Sequence, residues 1–170
     1  MPQKIVWTSF ESPIGVIFVA STERGLCKVV LPGEGEKKFF RWIERTFPQS
    51  ALVESSRENR EVASQISEYF KNKREKFDVA LDFHGSDYNV GVWKELLKIP
   101  YGTTISYKQL AKQVGTPRAY QTVGHANGMN PIPIIVPCHR VIGSDGSMTG
   151  YGGGIKTKEY LLKLEGALLV

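Results

Sequence analysis

No part of this 170-residue chain is long and apolar enough to read as a membrane span, for which roughly 20 consecutive apolar residues are needed. The start, Met1 to Trp7, carries a single lysine and no apolar core, so no secretory signal is expected there. Cysteine is scarce: Cys27 and Cys138 could make one bridge but not a disulfide framework. A reducing, cytoplasmic setting is therefore expected. Only 3 histidines occur, and no Cys/His spacing resembles a zinc site, so no metal is expected. Internal repeats and low-complexity tracts are missing too, which argues against solenoids and disordered linkers. What is present is the composition of an ordinary globule, 41% hydrophobic and 23% charged, in a length that suits one domain or two small ones.

The formal net charge of +5 is unevenly placed. Residues 1–87 balance 13 Lys and Arg against 13 Asp and Glu, whereas residues 88–170 hold 9 against 4. The whole excess lies in the second half, which favours a polyanionic partner there, most simply nucleic acid.

Along the first half, 4–10, 14–20 and 26–31 read as strands rich in Val, Ile and Phe, with turns at Ser12-Pro13 and Glu23–Gly25. Residues 36–47 repeat Phe39, Phe40, Ile43 and Phe47 at helical spacing until Pro48. Residues 58–73 form a second helix with Val62, Ile66, Tyr69 and Phe70 on one face, and 77–83 alternate as a strand. His84 and Cys27 stand alone and read as structural. The fold class is α+β. A small N-terminal sheet-and-helix domain, 1–84, is followed by a C-terminal domain, 85–170, with the boundary near His84-Gly85-Ser86.

The second half opens with a helix over 87–98, its inner side Val92, Leu96 and Ile99. Ser106 and Gln109 fit a capping box for a helix whose apolar stripe is Tyr107, Leu110, Ala111 and Val114. Gly115 stops it, Thr116 caps the next and Pro117 sits in the first turn. That second helix, 118–127, puts Ala119, Thr122, Val123 and Ala126 inward and Arg118, Gln121 and His125 outward. Two short helices joined by a tight glycine turn fit a helix-turn-helix, and they fit a plain helical hairpin equally well.

Chemistry enters at Pro137-Cys138-His139-Arg140. A thiol is a poor nucleophile and its thiolate a strong one. An imidazole can take the proton, directly or through a water, and a carboxylate on the other ring nitrogen can orient the ring. The acids beyond His139 are Asp145, Glu159 and Glu165, and the residues alone do not choose among them. A Cys-His pair by itself reads equally as a buried, inert thiol beside a chance histidine.

The run Val136-Pro137-Cys138-His139-Arg140-Val141 closely resembles the active-site signature of the O6-alkylguanine-DNA alkyltransferases, or methylated-DNA–protein-cysteine methyltransferases. The resemblance extends from Trp93 to Gly166. It takes in Ile105-Ser106-Tyr107, Asn130-Pro131, Tyr151-Gly152-Gly153-Gly154 and Leu161-Leu162 through Leu164-Glu165-Gly166. The N-terminal third matches only loosely, through Ser12-Pro13-Ile14-Gly15 and the order of elements. Some members bind zinc there, but the ligand set is lacking in this chain.

The resemblance implies a helix-turn-helix (winged-helix-like) DNA-binding and catalytic domain that acts as a monomer on double-stranded DNA containing O6-alkylguanine, without a cofactor. Cys138 would accept the alkyl group irreversibly, once per molecule. His139 would activate it through a water, with Glu165 behind, and Asn130 would brace the turn. Tyr107 would press on a phosphate and help rotate the nucleotide out of the stack. Tyr151 and the backbone of Gly152 would contact the flipped guanine, and the carbonyls of Cys138 and Val141 would read its exocyclic amine. Arg118, Gln121, His125 and Arg140 would contact DNA.

One departure stands out. Gln121 occupies the position where the family usually has an arginine that fills the hole left by the flipped base, with Arg118 one turn earlier. An alternative is therefore an alkyltransferase-like lesion-binding protein with weak or specialised transfer. A helix-turn-helix regulator and a cysteine hydrolase are more distant rivals. The first would usually bring a dimerisation or effector segment, and the second needs adjacent Cys and His side chains to aim at each other.

Overall fold

A computed structural model describes residues 2–168. The chain divides into two compact units between His84 and Gly85.

In the first unit a four-stranded sheet has the order β3-β2-β1-β4. Strands β1 (Lys4–Ser12), β2 (Gly15–Thr22) and β3 (Gly25–Val30) form an antiparallel meander. Both turns are built by a hydroxyl and a glycine. Ser12 Oγ donates to Gly15 O at 2.6 Å and accepts from Ile14 N at 3.2 Å, and Thr22 Oγ1 accepts from Arg24 N at 3.1 Å. Gly25 has φ 149°, and a Cβ there would stand 2.5 Å from Ala80 O, so the turn admits no side chain. Helix α1 (Glu36–Thr46) buries Phe39 and Ile43 against Ile5, Ala20, Cys27 and Val30. Cys27 is fully buried, its Sγ donates to Ala20 O at 3.3 Å, and burial pushes its thiol up to about 12.

Three details of this unit differ from the pattern reading. A fourth strand, β4 (Ala51–Glu54), pairs parallel with β1 at the sheet edge; its residues are all exposed, so no alternation announces it. Helix α2 is shorter than expected, Arg60–Phe70, with Val62, Ile66, Tyr69 and Phe70 buried. Residues 77–83 form no strand of the sheet and pair with β3 through an isolated bridge from Leu81 to Leu26. Their backbone is partly claimed by a side chain instead: Gln65 Oε1 accepts from Asp78 N at 2.8 Å and Gln65 Nε2 donates to Asp78 O at 3.2 Å.

The second unit is built mostly of helices. Helix α3 (Asp87–Leu96) is capped by Ser86 and fastened to the later chain by Trp93 Nε1, which donates to Ala126 O at 2.8 Å. Strand β5 (Ile105–Ser106) leads into α4 (Tyr107–Gln113), and the Ser106–Gln109 capping box is complete. Such a cap contributes about 1 kcal/mol. After Gly115 at φ 84° the next helix starts later than the residue pattern implies: α5 is Tyr120–Gly128. Thr116 does not cap it, because the helix starts only after Ala119: Thr116 stands in the turn before, its O accepting from Ala119 N at 2.9 Å and its hydroxyl bonded to Tyr88 OH at 3.1 Å. Val123, Ala126 and Asn127 are the buried positions of α5, and Thr122 faces outward. A 3₁₀ turn (Cys138–Arg140) runs into β6 (Val141–Ile142), which pairs parallel with β5, and α6 (Ile155–Leu164) follows. Among the described residues no helix is long and apolar enough to cross a membrane.

Candidate active site

The turn that carries Cys138 lies in a wholly buried stretch, 131–140. Buried backbone must find partners, and Asn130 supplies two of them. Its Oδ1 accepts from Ile132 N at 3.0 Å and its Nδ2 donates to Val136 O at 2.8 Å. Between those anchors Ile134 is held at φ 73° with no exposed surface. A β-branched residue in that region stores about 1–3 kcal/mol of strain. The turn then closes through Cys138 N to Val136 O at 2.8 Å and Arg140 N to Pro137 O at 3.0 Å.

Glu165, just past α6, settles which acid stands behind the histidine. Its Oε2 lies 2.6 Å from His139 Nε2, while Asp145 sits on an exposed turn and accepts from Ser147 N. Arg140 grips the same carboxylate, Nε to Oε1 at 2.8 Å and Nη2 to Oε2 at 3.1 Å, and its Nη1 donates to Ile99 O at 2.7 Å. Arg140 is thus buried, with all three of its nitrogens bonded inside the site, and does not lie on an exposed surface as its expected DNA contact would require. The fork geometry of a guanidinium suits a carboxylate that also has to orient an imidazole.

An ionised carboxylate only accepts, so His139 Nε2 carries the proton and Nδ1 is the acceptor. Nδ1 is buried and bonds to no described residue. Burial drives His139 below its ordinary 6.5; the Glu165 bond opposes this, and the charges of Arg140 and Lys158 add to it. The ring is therefore held neutral, the state in which it can accept a proton.

A cleft of about 610 Å³ opens nearby on the same unit. Tyr107 lines it, as do Gln121 and His125 from α5 and Thr149 to Gly152 from the loop before α6. Gly124 also lines it, and a Cβ there would come only to 3.6 Å from the Tyr107 ring. Tyr107 OH donates to Thr149 O at 3.3 Å, which ties α4 to that loop. The residues singled out from the sequence thus fall into two groups. Tyr107, Gln121, His125, Tyr151 and Gly152 line the cleft, while Cys138, His139, Glu165, Asn130 and Val141 are buried. Arg118 is exposed ahead of α5 and lines neither.

Two members were not foreseen. Asn127 Nδ2 donates to Cys138 O at 3.4 Å, and Lys158 Nζ donates to Val141 O at 2.6 Å and Thr149 O at 3.2 Å. Lys158 had a visible signal: it shares the inward row of α6 with Leu161, Leu162 and Glu165, an odd place for a lysine. Among the described residues, no group of three or more His, Cys, Asp and Glu side chains could hold a metal ion.

Two family models account for nearly the whole chain. Residues 5–83 match the 6-O-methylguanine DNA methyltransferase ribonuclease-like domain, and residues 87–167 match the DNA binding domain of the same enzymes. A methylated-DNA–protein-cysteine methyltransferase of Methanosarcina barkeri is 47% identical, over 91% of this chain and 93% of its own length. The inducible enzyme of the same name from Bacillus subtilis is 42% identical, over 87% of this chain and 83% of its own. A crystal structure of Mycobacterium tuberculosis OGT in complex with DNA superposes with a TM-score of 0.83 at 40% identity, covering 95% of this chain and 93% of that one.

Proposed function

The chain belongs to the 6-O-methylguanine DNA methyltransferase family, and from that premise we propose that Cys138 takes the alkyl group of an O6-alkylguanine and keeps it. The activity is that of a methylated-DNA–protein-cysteine methyltransferase, which repairs DNA by direct reversal. The observation that carries the assignment to Cys138 is the buried relay beside it: an acceptor nitrogen on His139, fixed from behind by Glu165 at 2.6 Å.

The target base cannot be surrounded while stacked, so the nucleotide leaves the helix for the cleft at a cost of a few kcal/mol. Tyr107 and Tyr151 offer rings at that cleft, and the glycines beside Tyr151 let the backbone come close. His139 Nδ1 takes the thiol proton, directly or through one water. The thiolate then forms the S–C bond as the C–O6 bond breaks. The electron pair of the broken bond stays with guanine, which receives the proton that His139 holds. Atoms and charge balance without a cofactor, and a thioether does not readily revert, so each molecule acts once.

Incubation with a duplex containing O6-methylguanine, followed by peptide mapping, tests this reading. One methyl group per chain, on Cys138, is expected. Methyl on Cys27, or more than one lesion repaired per molecule, would overturn it. A protein that bound the lesion without gaining mass would be a lesion-binding protein.

A further inference from the structure

Lys158 has no exposed surface, and the transfer chemistry above does not use it. A buried ammonium is costly unless an anion answers it. None of the ion pairs among the described residues includes Lys158. Its Nζ is held by two carbonyl oxygens, Val141 O at 2.6 Å and Thr149 O at 3.2 Å, and lies 5.9 Å from the centre of the Tyr107 ring. Carbonyl dipoles and a ring face cradle a cation but bring no net negative charge.

The nearby carboxylate is already matched, because Arg140 holds both oxygens of Glu165. While Cys138 is a thiol and His139 is neutral, two buried cations therefore face one carboxylate. Tyr107 on α4 turns a ring toward Lys158 and brings no carboxylate. The group left to even the charge is the sulfur of Cys138, three residues before Val141. Burial lowers the Lys158 ammonium from its ordinary range, and the charge of Cys138 acts on it in the opposite direction.

We propose that Lys158 is the buried counter-charge of the Cys138 thiolate, and that the same ammonium ties the Thr149 end of the cleft to the strand beside the nucleophile. The inference rests on Cys138 being the alkyl acceptor. Lys158 favours the thiolate by its charge, while His139 provides the path for the proton. Its charge also disfavours an imidazolium at His139 in the resting protein, so the relay stays ready to accept.

The test is the pH dependence of Cys138 alkylation by iodoacetamide in the full, DNA-free chain, with methyl transfer from O6-methylguanine duplex measured alongside. Lys158→Met keeps the length and removes the charge. Its reaction midpoint is expected to move up by one unit or more, with a loss of about tenfold in rate at pH 7 that recovers in alkali. Lys158→Arg keeps the charge and is expected to hold the midpoint near that of the unmodified chain. A rate lowered equally at every pH, with the midpoint unmoved, overturns the counter-charge and leaves only the tie. Should Lys158→Met fail to fold, the unmodified chain answers instead. The Lys158 ammonium, followed by NMR, is expected to titrate at lower pH after Cys138 is methylated, and an unchanged titration overturns the proposal. A Lys158-dependent midpoint in a protein that takes no methyl from DNA would sink the assigned function and leave the counter-charge standing.

Discussion

Glu165 serves two partners, and its substitutions separate their roles. His139→Ala removes the proton acceptor but leaves Arg140 paired with the carboxylate, so transfer is expected to slow by about 10²–10⁴-fold with DNA affinity nearly unchanged. Glu165→Gln also strands a buried guanidinium. It should lower stability by about 3–5 kcal/mol in a urea titration, as removal of one partner from a buried pair does. Equal stability of the two variants would mean that Arg140 finds another acceptor. The buried imidazole has its own pH signature. Its folded value lies below the ordinary 6.5, so the unfolded chain binds the proton first as the solution is acidified. Its stability contribution is fully present above pH 6.5 and is lost as pH falls below it. Melting temperature should drop through that range in the unmodified chain and drop less steeply in His139→Asn.

At the scale of the element, α5 is the helix whose exposed side meets the cleft, and Gln121 sits there one residue into it. An amide offers fewer donors than a guanidinium and no charge. Gln121→Arg is expected to raise the repair rate in duplex DNA severalfold while leaving reaction with free O6-benzylguanine, which needs no flipping, almost unchanged. A matching rise with the free base would place the effect in the pocket and not in flipping. The start of α5 also shows what pattern reading reaches. Gly115, Thr116 and Pro117 look like a stop, a cap and a first turn, but the helix starts only after Ala119, and the Thr116 hydroxyl meets Tyr88, 28 residues away. Local chemistry was legible where partners are local, as in the Ser106–Gln109 box and the Ser12 turn. It failed where a distant side chain or strand decides. Gln65 claims part of the backbone of 77–83, and β4 exists only because β1 is there to pair with it. Cys138, His139 and Glu165 were found through family resemblance, since three acids were open on the residues alone. Arg140 came to the DNA surface only through the resemblance, and nothing in the sequence near it shows the Glu165 carboxylate, 25 residues on, that holds it inside.

For the whole molecule, the charge excess confined to residues 88–170 belongs to the unit that carries the cleft. Binding to undamaged duplex should rest mainly on phosphates. If about five are neutralised, the slope of log affinity against log salt should be about −4 to −5 with little sequence preference. Affinity indifferent to salt would mean that base contacts dominate. The two thiols complete the picture at this scale. Cys27 is sealed inside the first unit with its thiol pushed up to about 12, so it stays silent toward mild thiol reagents while the protein is folded. Cys138 is buried as well but has His139 beside it to take its proton, so a folded sample is expected to present one reactive thiol per chain before exposure to damage and none once spent. Denaturation reveals two in a fresh molecule and one in a used molecule. The ratio of those readings is a tally of lesions met: the protein is its own dosimeter, read with a colorimetric reagent and no labelled DNA.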